Sequence, residues 1–215
     1  NCYAPEKIIL PNNCKKRAFL HIGYGNTRQV DGVQDIYGLW GPVSACKRLE
    51  KSMHFLKKND YEGFSAYAEG SYHDINNVIV ATLSSGKTTS AYESLQEYAT
   101  YYFKCLPELS KKWAQWIIDY ENCEQSKCDK KIEKDFKILY KNICSNGYNW
   151  RIEHWKHKLE LFNLHRQLAQ IHGWPKKKLE LVDKWRKKSD LLRRKVYGLG
   201  IVRHIFQEHY CGAQW

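Results

Sequence analysis

Eight cysteines, at positions 2, 14, 46, 105, 123, 128, 144 and 211, constrain this chain more than any other feature. Their number is even, and no two form the C-x-x-C pair that a zinc ribbon or a thioredoxin-like redox site uses. This usage predicts an oxidised, secreted protein in which Cys2, Cys14, Cys46, Cys105, Cys123, Cys128, Cys144 and Cys211 form about four disulfides. Buried free thiols in a reducing compartment are the alternative. Connectivity stays open, because eight half-cystines can pair in on the order of a hundred ways. The chain begins NCYAPEK, with neither an initiator Met nor an apolar leader, as expected of a mature form or an excised piece.

At 215 residues, 43% of them hydrophobic, the chain can build one domain with a real core or two small ones. No apolar run approaches the roughly eighteen residues of a membrane span, so a soluble protein is expected. The first forty residues are rich in Pro, Asn and Gly and lack a sustained period, which predicts an irregular arm with one short strand at RAFLHIG. Beyond Pro42 apolar residues recur at helical spacing. Ala45, Leu49, Met53 and Leu56 share one face, with Ser44 as a cap. Ser90-x-x-Glu93 has capping-box spacing and leads into Tyr92, Leu95, Ala99 and Tyr102.

Pro107 opens a stripe of Leu109, Trp113, Trp116 and Tyr120, and Ile132, Phe136, Leu139 and Ile143 form the next. A longer run carries Ile152, Trp155, Leu159 and Phe162 and stops at Gly173 and Pro175. Two further helices are expected in PKKKLELVDKWRKKSDLLRRKVYG and GIVRHIFQEHYC. The predicted fold is all-α: a disulfide-stapled helical bundle with an irregular arm over 1–41, a helical unit over 42–122 and a basic helical unit over 123–215, packed as one body. Four cysteines fall in each half, with long last intervals from Cys46 to Cys105 and from Cys144 to Cys211. Two related units would explain that division, and so would chance.

Three motifs approach known chemistry and miss it. IYGLWGP at 36–42 is similar to the His-Gly-Leu-Trp-Pro run of acid secreted ribonucleases, but Tyr37 stands at the histidine, and a phenol is a poor substitute for imidazole near neutrality. Their second motif, His-Glu-Trp-x-Lys-His-Gly, has an echo in EHWKHK. Aligned on Trp155, it places Glu153, His154 and Lys158 where the family has His, Glu and His. A turn burying Trp40 is the simpler account of the first run. VIVATLSSGKT at 78–88 resembles a phosphate-binding loop, yet Ala81 occupies the first glycine position, so a loop joining two helices is expected. His154 with His157, and His204 with His209, lack a third ligand at metal spacing, so no metal or cofactor is expected.

Charge is concentrated at the C-terminal end: residues 151–215 hold 15 Lys or Arg against 6 Asp or Glu, within a net charge of +12. Lys176, Lys177, Lys178, Lys184, Arg186, Lys187, Arg193 and Arg194 recur along one predicted helix, with Trp174 and Trp185 among them. Such a face suits an acidic partner, whether nucleic acid, an anionic membrane or an acidic protein, or is a solvated face.

CLPELSKKWAQWIIDYENC and CDKKIEKDFKILYKNIC each run from a cysteine along a helix to a tyrosine and a second cysteine, giving Cys105, Tyr120, Cys123 and Cys128, Tyr140, Cys144. A tyrosine one turn before a half-cystine can pack its ring on the disulfide while its hydroxyl reaches the surface. This pattern resembles the bicycle family of secreted salivary proteins of gall-forming aphids, named for paired cysteine-tyrosine-cysteine motifs. The resemblance implies a protein injected into a plant that alters host development by binding an unknown host molecule, and it implies no catalytic residues. The expected function is that of a secreted, non-enzymatic effector. A degenerate ribonuclease and a lipid- or nucleic-acid-binding helical protein are the alternatives.

Overall fold

Apolar residues three and four positions apart bury one side of most of the described helices, whereas the helix Trp150–Ala169 is buried on nearly every side. A computed structural model describes residues 9–22, 44–67, 74–125, 130–143 and 150–196, without the side chains of 124, 125, 165, 169, 185, 186 and 189–196. Among the described residues the elements are β1 (Arg17–His21), α1 (Cys46–Lys58), β2 (Gly63–Tyr67), α2 (Asp74–Ser84), α3 (Ala91–Phe103), α4 (Pro107–Gln125), α5 (Lys131–Lys141), α6 (Trp150–Ala169) and α7 (Lys176–Val196). The protein is mostly α-helical, with one two-stranded sheet among the described residues.

The helical expectation holds, and the sheet adds a second short strand to the one expected in the arm. β1 and β2 pair in parallel, Arg17 opposite Gly63 through His21 opposite Tyr67, with α1 in the connection between them. β1 falls within the expected RAFLHIG strand. β2, GFSAY, shows no alternation strong enough to announce a strand, and its order comes from pairing with a segment far away in sequence. Residues 78–84 also differ from the expected loop. They complete α2, whose Ile75, Asn76, Ile79 and Val80 are buried, because packing outweighs the low helix propensity of a β-branched run. The helix stops only at Ser84, and Gly86, at φ +72°, takes the left-handed turn that follows.

α3 begins as the sequence specifies: Ser90 Oγ accepts from the Glu93 amide at 3.2 Å, while the Glu93 carboxylate reaches back to the Thr89 amide at 2.7 Å. Its buried stripe is Ala91, Leu95, Tyr98, Ala99 and Phe103, rotated so that Tyr92 and Tyr102 are only half-buried. α1 has no capping side chain of its own. Glu121 of α4 supplies one, accepting from the Cys46 amide at 2.9 Å and from the Lys47 amide at 3.4 Å, which satisfies two of the N–H groups a helix start leaves open. Buried Asn76 ties the same region together, accepting from the Ala45 amide at 3.1 Å and donating to the Ile22 carbonyl at 2.9 Å.

Aromatic rings form the centre. Phe103 of α3 meets Trp113 of α4 at 4.8 Å between centroids, Trp113 meets Phe136 of α5 at 5.9 Å, and Trp116 and Tyr120 of α4 meet Trp155 of α6 at 5.5 and 5.6 Å. Trp116 also donates its indole N–H to the Ile132 carbonyl at 2.9 Å. Edge-to-face pairs of this kind add about 0.5–1.5 kcal/mol each beyond burial of their area.

Sulfur contributes less than expected. Cys14 is an exposed thiol and Cys105 a buried one, so neither forms the bridge expected of it. Cys14 stands on an exposed turn, and Cys105 is enclosed just beyond α3, where Phe103 and Trp113 pack. Cys123 is disulfide-bonded, and none of the four described cysteines is bonded to another of the four. Cys2, Cys128, Cys144 and Cys211, the 36–42 run with Trp40, and the expected helix containing His204 and His209 lie outside the described residues.

Candidate functional site

The basic surface begins at the turn after α6. Gly173, at φ +67°, reverses the chain, and the Pro175 carbonyl accepts from the Lys178 amide at 2.8 Å and the Leu179 amide at 3.3 Å, which starts α7. Lys176, Lys177 and Lys184 are exposed, and no ion pair engages them among the described residues. Lys178 departs from the expected surface. It is 2% exposed, with its ammonium 4.8 Å from the Trp174 ring, because its position in the first turn faces inward. Lys187 is exposed but pairs with Asp183 at 2.6 Å, so it adds little net charge. The side chains of Trp185, Arg186, Arg193 and Arg194 lie outside the described residues.

Lys188, absent from the expected set, fastens α7 to α6 through Glu160 at 2.6 Å, and Glu160 lies 3.5 Å from His157 Nδ1. Burial alone would raise the Glu160 pKa, but Lys188 and His157 outweigh it and hold the carboxyl below its ordinary value. Burial also pushes the His157 pKa down, against the pull of Glu160 and Glu153.

A second ionic group lies inside. Asp74, in the first turn of α2, accepts from the Tyr98 hydroxyl at 2.6 Å, and its oxygens lie 3.6 Å from Arg151 Nε and 3.6 Å from His154 Nδ1. The Arg151 guanidinium is flanked by the Tyr102 and Trp150 rings, 3.8 and 3.9 Å from their centroids. Lys158, fully buried, sets its ammonium 4.3 Å from the Trp155 ring. Burial alone would raise the Asp74 pKa, yet His154, Lys158, the Tyr98 hydrogen bond and Arg151 together hold it below the ordinary carboxylate value. Burial and the Asp74 charge push the Tyr98 phenol well above its usual value, so it stays a donor. This cluster joins α2, α3 and α6.

The ribonuclease echo lands in this interior. His154 is 1% exposed and His157 9%, so neither faces a cleft where a phosphate could sit. The near-miss phosphate loop fails for a different reason. The amides of Ser85, Gly86 and Thr88 bond back to Ala81, Leu83 and Thr82, and Lys87 pairs with Glu97 at 2.6 Å, so the turn offers no anion cradle. A cavity of about 460 Å³ lies beside this turn, between Met53 and His54 of α1, Phe64 of β2 and Leu83 of α2. Among the described residues no group of three His, Cys, Asp or Glu side chains is placed to hold a metal, and no helix is long and apolar enough to cross a membrane.

Of the two motif tyrosines, Tyr120 departs from the position that its spacing suggested. Tyr120 is fully buried and its hydroxyl donates to the Lys158 carbonyl at 3.3 Å, so it does not reach the surface; the aromatic core encloses the whole of its ring. Tyr140 is half-buried and its hydroxyl donates to Glu153 of α6.

The class these features define is a mostly helical protein with a basic helical hairpin at the end of its described chain. No protein-family model, no curated protein and no solved structure matches it. The likeness to the bicycle family rests on the cysteine-tyrosine-cysteine spacing alone.

Proposed function

We propose that the protein is a non-enzymatic interaction protein, secreted and delivered into a plant host as an effector, whose working surface is the basic face of α7. One observation carries the reading of that surface. Lys176, Lys177 and Lys184 stand exposed, without carboxylate partners among the described residues, on a helix packed chiefly against α6. Like charges held along a helix raise the local potential and favour an acidic macromolecule. Burial of His154 and His157 counts against the ribonuclease alternative, since general acid–base work needs both groups at the substrate. The disulfide at Cys123 supports passage through an oxidising compartment, and further bridges drawn from Cys2, Cys128, Cys144 and Cys211 would fasten the helices.

Retention on a sulfated polysaccharide column tests the surface. Replacing Lys176, Lys177, Lys184 and Lys187 by Glu removes retention at physiological salt if α7 is the binding face. Unchanged elution of the quadruple variant refutes the assignment. Counting thiols in the unreduced, denatured protein tests secretion, and eight reactive thiols refute it.

A further inference from the structure

The end of the α6–α7 hairpin combines charge with exposed apolar surface. Trp174 is 46% exposed and Leu179 53%, and in sequence they flank the exposed Lys176 and Lys177. With the Pro175 carbonyl accepting the first helical hydrogen bonds, Trp174 occupies the position before the cap and Leu179 the fourth helical position. These are the two places of a hydrophobic staple. A staple normally covers both partners, whereas here about half of each side chain stays in water. The first turn of α7 carries no acidic residue.

We infer that this hairpin tip is an anchor for an anionic lipid surface, with Trp174 and Leu179 entering the headgroup layer and Lys176 and Lys177 meeting lipid phosphates. The inference rests on the reading of α7 as an acidic-partner surface and narrows the partner to one class. Charge complementarity supplies the attraction, and the apolar pair decides the class. Indole prefers the boundary between hydrocarbon and water, and leucine gains by leaving water, so both have a use at a bilayer. A nucleic acid would use the indole for stacking but has no use for the leucine, and the Lys178 ammonium already lies against the Trp174 ring. No described helix can span a bilayer, so attachment is peripheral.

Sedimentation with phosphatidylcholine vesicles containing about one-third phosphatidylserine tests this, using the full chain, with circular dichroism to establish that each variant is folded. The wild type sediments at low salt and is released by about 0.5 M salt. Lys176→Gln with Lys177→Gln weakens sedimentation about thirtyfold, as expected for two lysines at an anionic surface. Trp174→Ala with Leu179→Ala weakens it about tenfold while leaving retention on the sulfated polysaccharide unchanged. The anchor is overturned if the apolar double variant sediments as the wild type does, or if the wild type binds single-stranded DNA or polysaccharide but not vesicles; the basic-surface reading then stands. Failure of the wild type to bind any polyanion overturns both.

Discussion

Asp74 offers the sharpest test of how this interior is held. Its carboxylate sits 2.6 Å from the Tyr98 hydroxyl and 3.6 Å from Arg151 Nε. At an effective dielectric constant of about 20, a unit-charge pair at that second distance attracts by about 4–5 kcal/mol, and desolvation offsets part of it. Asp74→Asn keeps an acceptor for Tyr98 but removes the negative charge that faces Arg151, His154 and Lys158, and is expected to cost about 3 kcal/mol, a fall in Tm of about 6–12 °C for a chain of this size. Tyr98→Phe removes a hydrogen bond to a charged group and should cost about 1.5–3 kcal/mol. Because the two act on one carboxylate, the double variant should lose about 1 kcal/mol less than the sum.

Urea unfolding followed by tryptophan fluorescence measures all four proteins. Its pH dependence adds an independent check. The folded-state pKa of Asp74 is depressed, so its contribution is present above the ordinary carboxylate pKa and is lost as pH falls through the folded value. The gap between wild type and Asp74→Asn must therefore close on acidification. A neutral-pH difference under about 0.5 kcal/mol, or a gap that widens in acid, would refute the account.

Further outcomes follow from the cap and the thiols. Burial raises the Glu121 pKa despite the Cys46 and Lys47 hydrogen bonds, so the neutral isostere Glu121→Gln should cost under about 1 kcal/mol, whereas Glu121→Ala strands two helix-start amides and should cost about 2 kcal/mol in the same urea assay. Because that pKa is raised, any stability it contributes is present below the unfolded pKa and fades as pH rises through the folded value. Burial pushes the Cys105 thiol up to about 11, so alkylation near pH 8 should modify exposed Cys14 readily and Cys105 only after unfolding, as read by mass spectrometry of the digested protein.

Local signals in the sequence were enough for most helices. Ser90 and Glu93 mark a start, Gly173 and Pro175 mark a stop, and the stripes at Leu49, Met53, Leu56 and at Ile132, Phe136, Leu139 mark buried faces, because each depends on residues within a few positions of one another. The clustering of lysines that would make α7 a binding face was equally visible. What lay beyond the sequence was everything that joins distant segments. Pairing of GFSAY with RAFLH, Glu121 capping a helix some seventy residues earlier, and Asp74 collecting Tyr98, Arg151 and His154 all depend on how helices stack. The same stacking turned Lys178 inward and enclosed Cys105, although their neighbours in sequence gave no sign of it. Periodicity fixes which side of a helix is apolar, but only the packed neighbours determine which polar groups are taken from water with it, since the cost of burying a charge depends on partners brought from elsewhere in the chain.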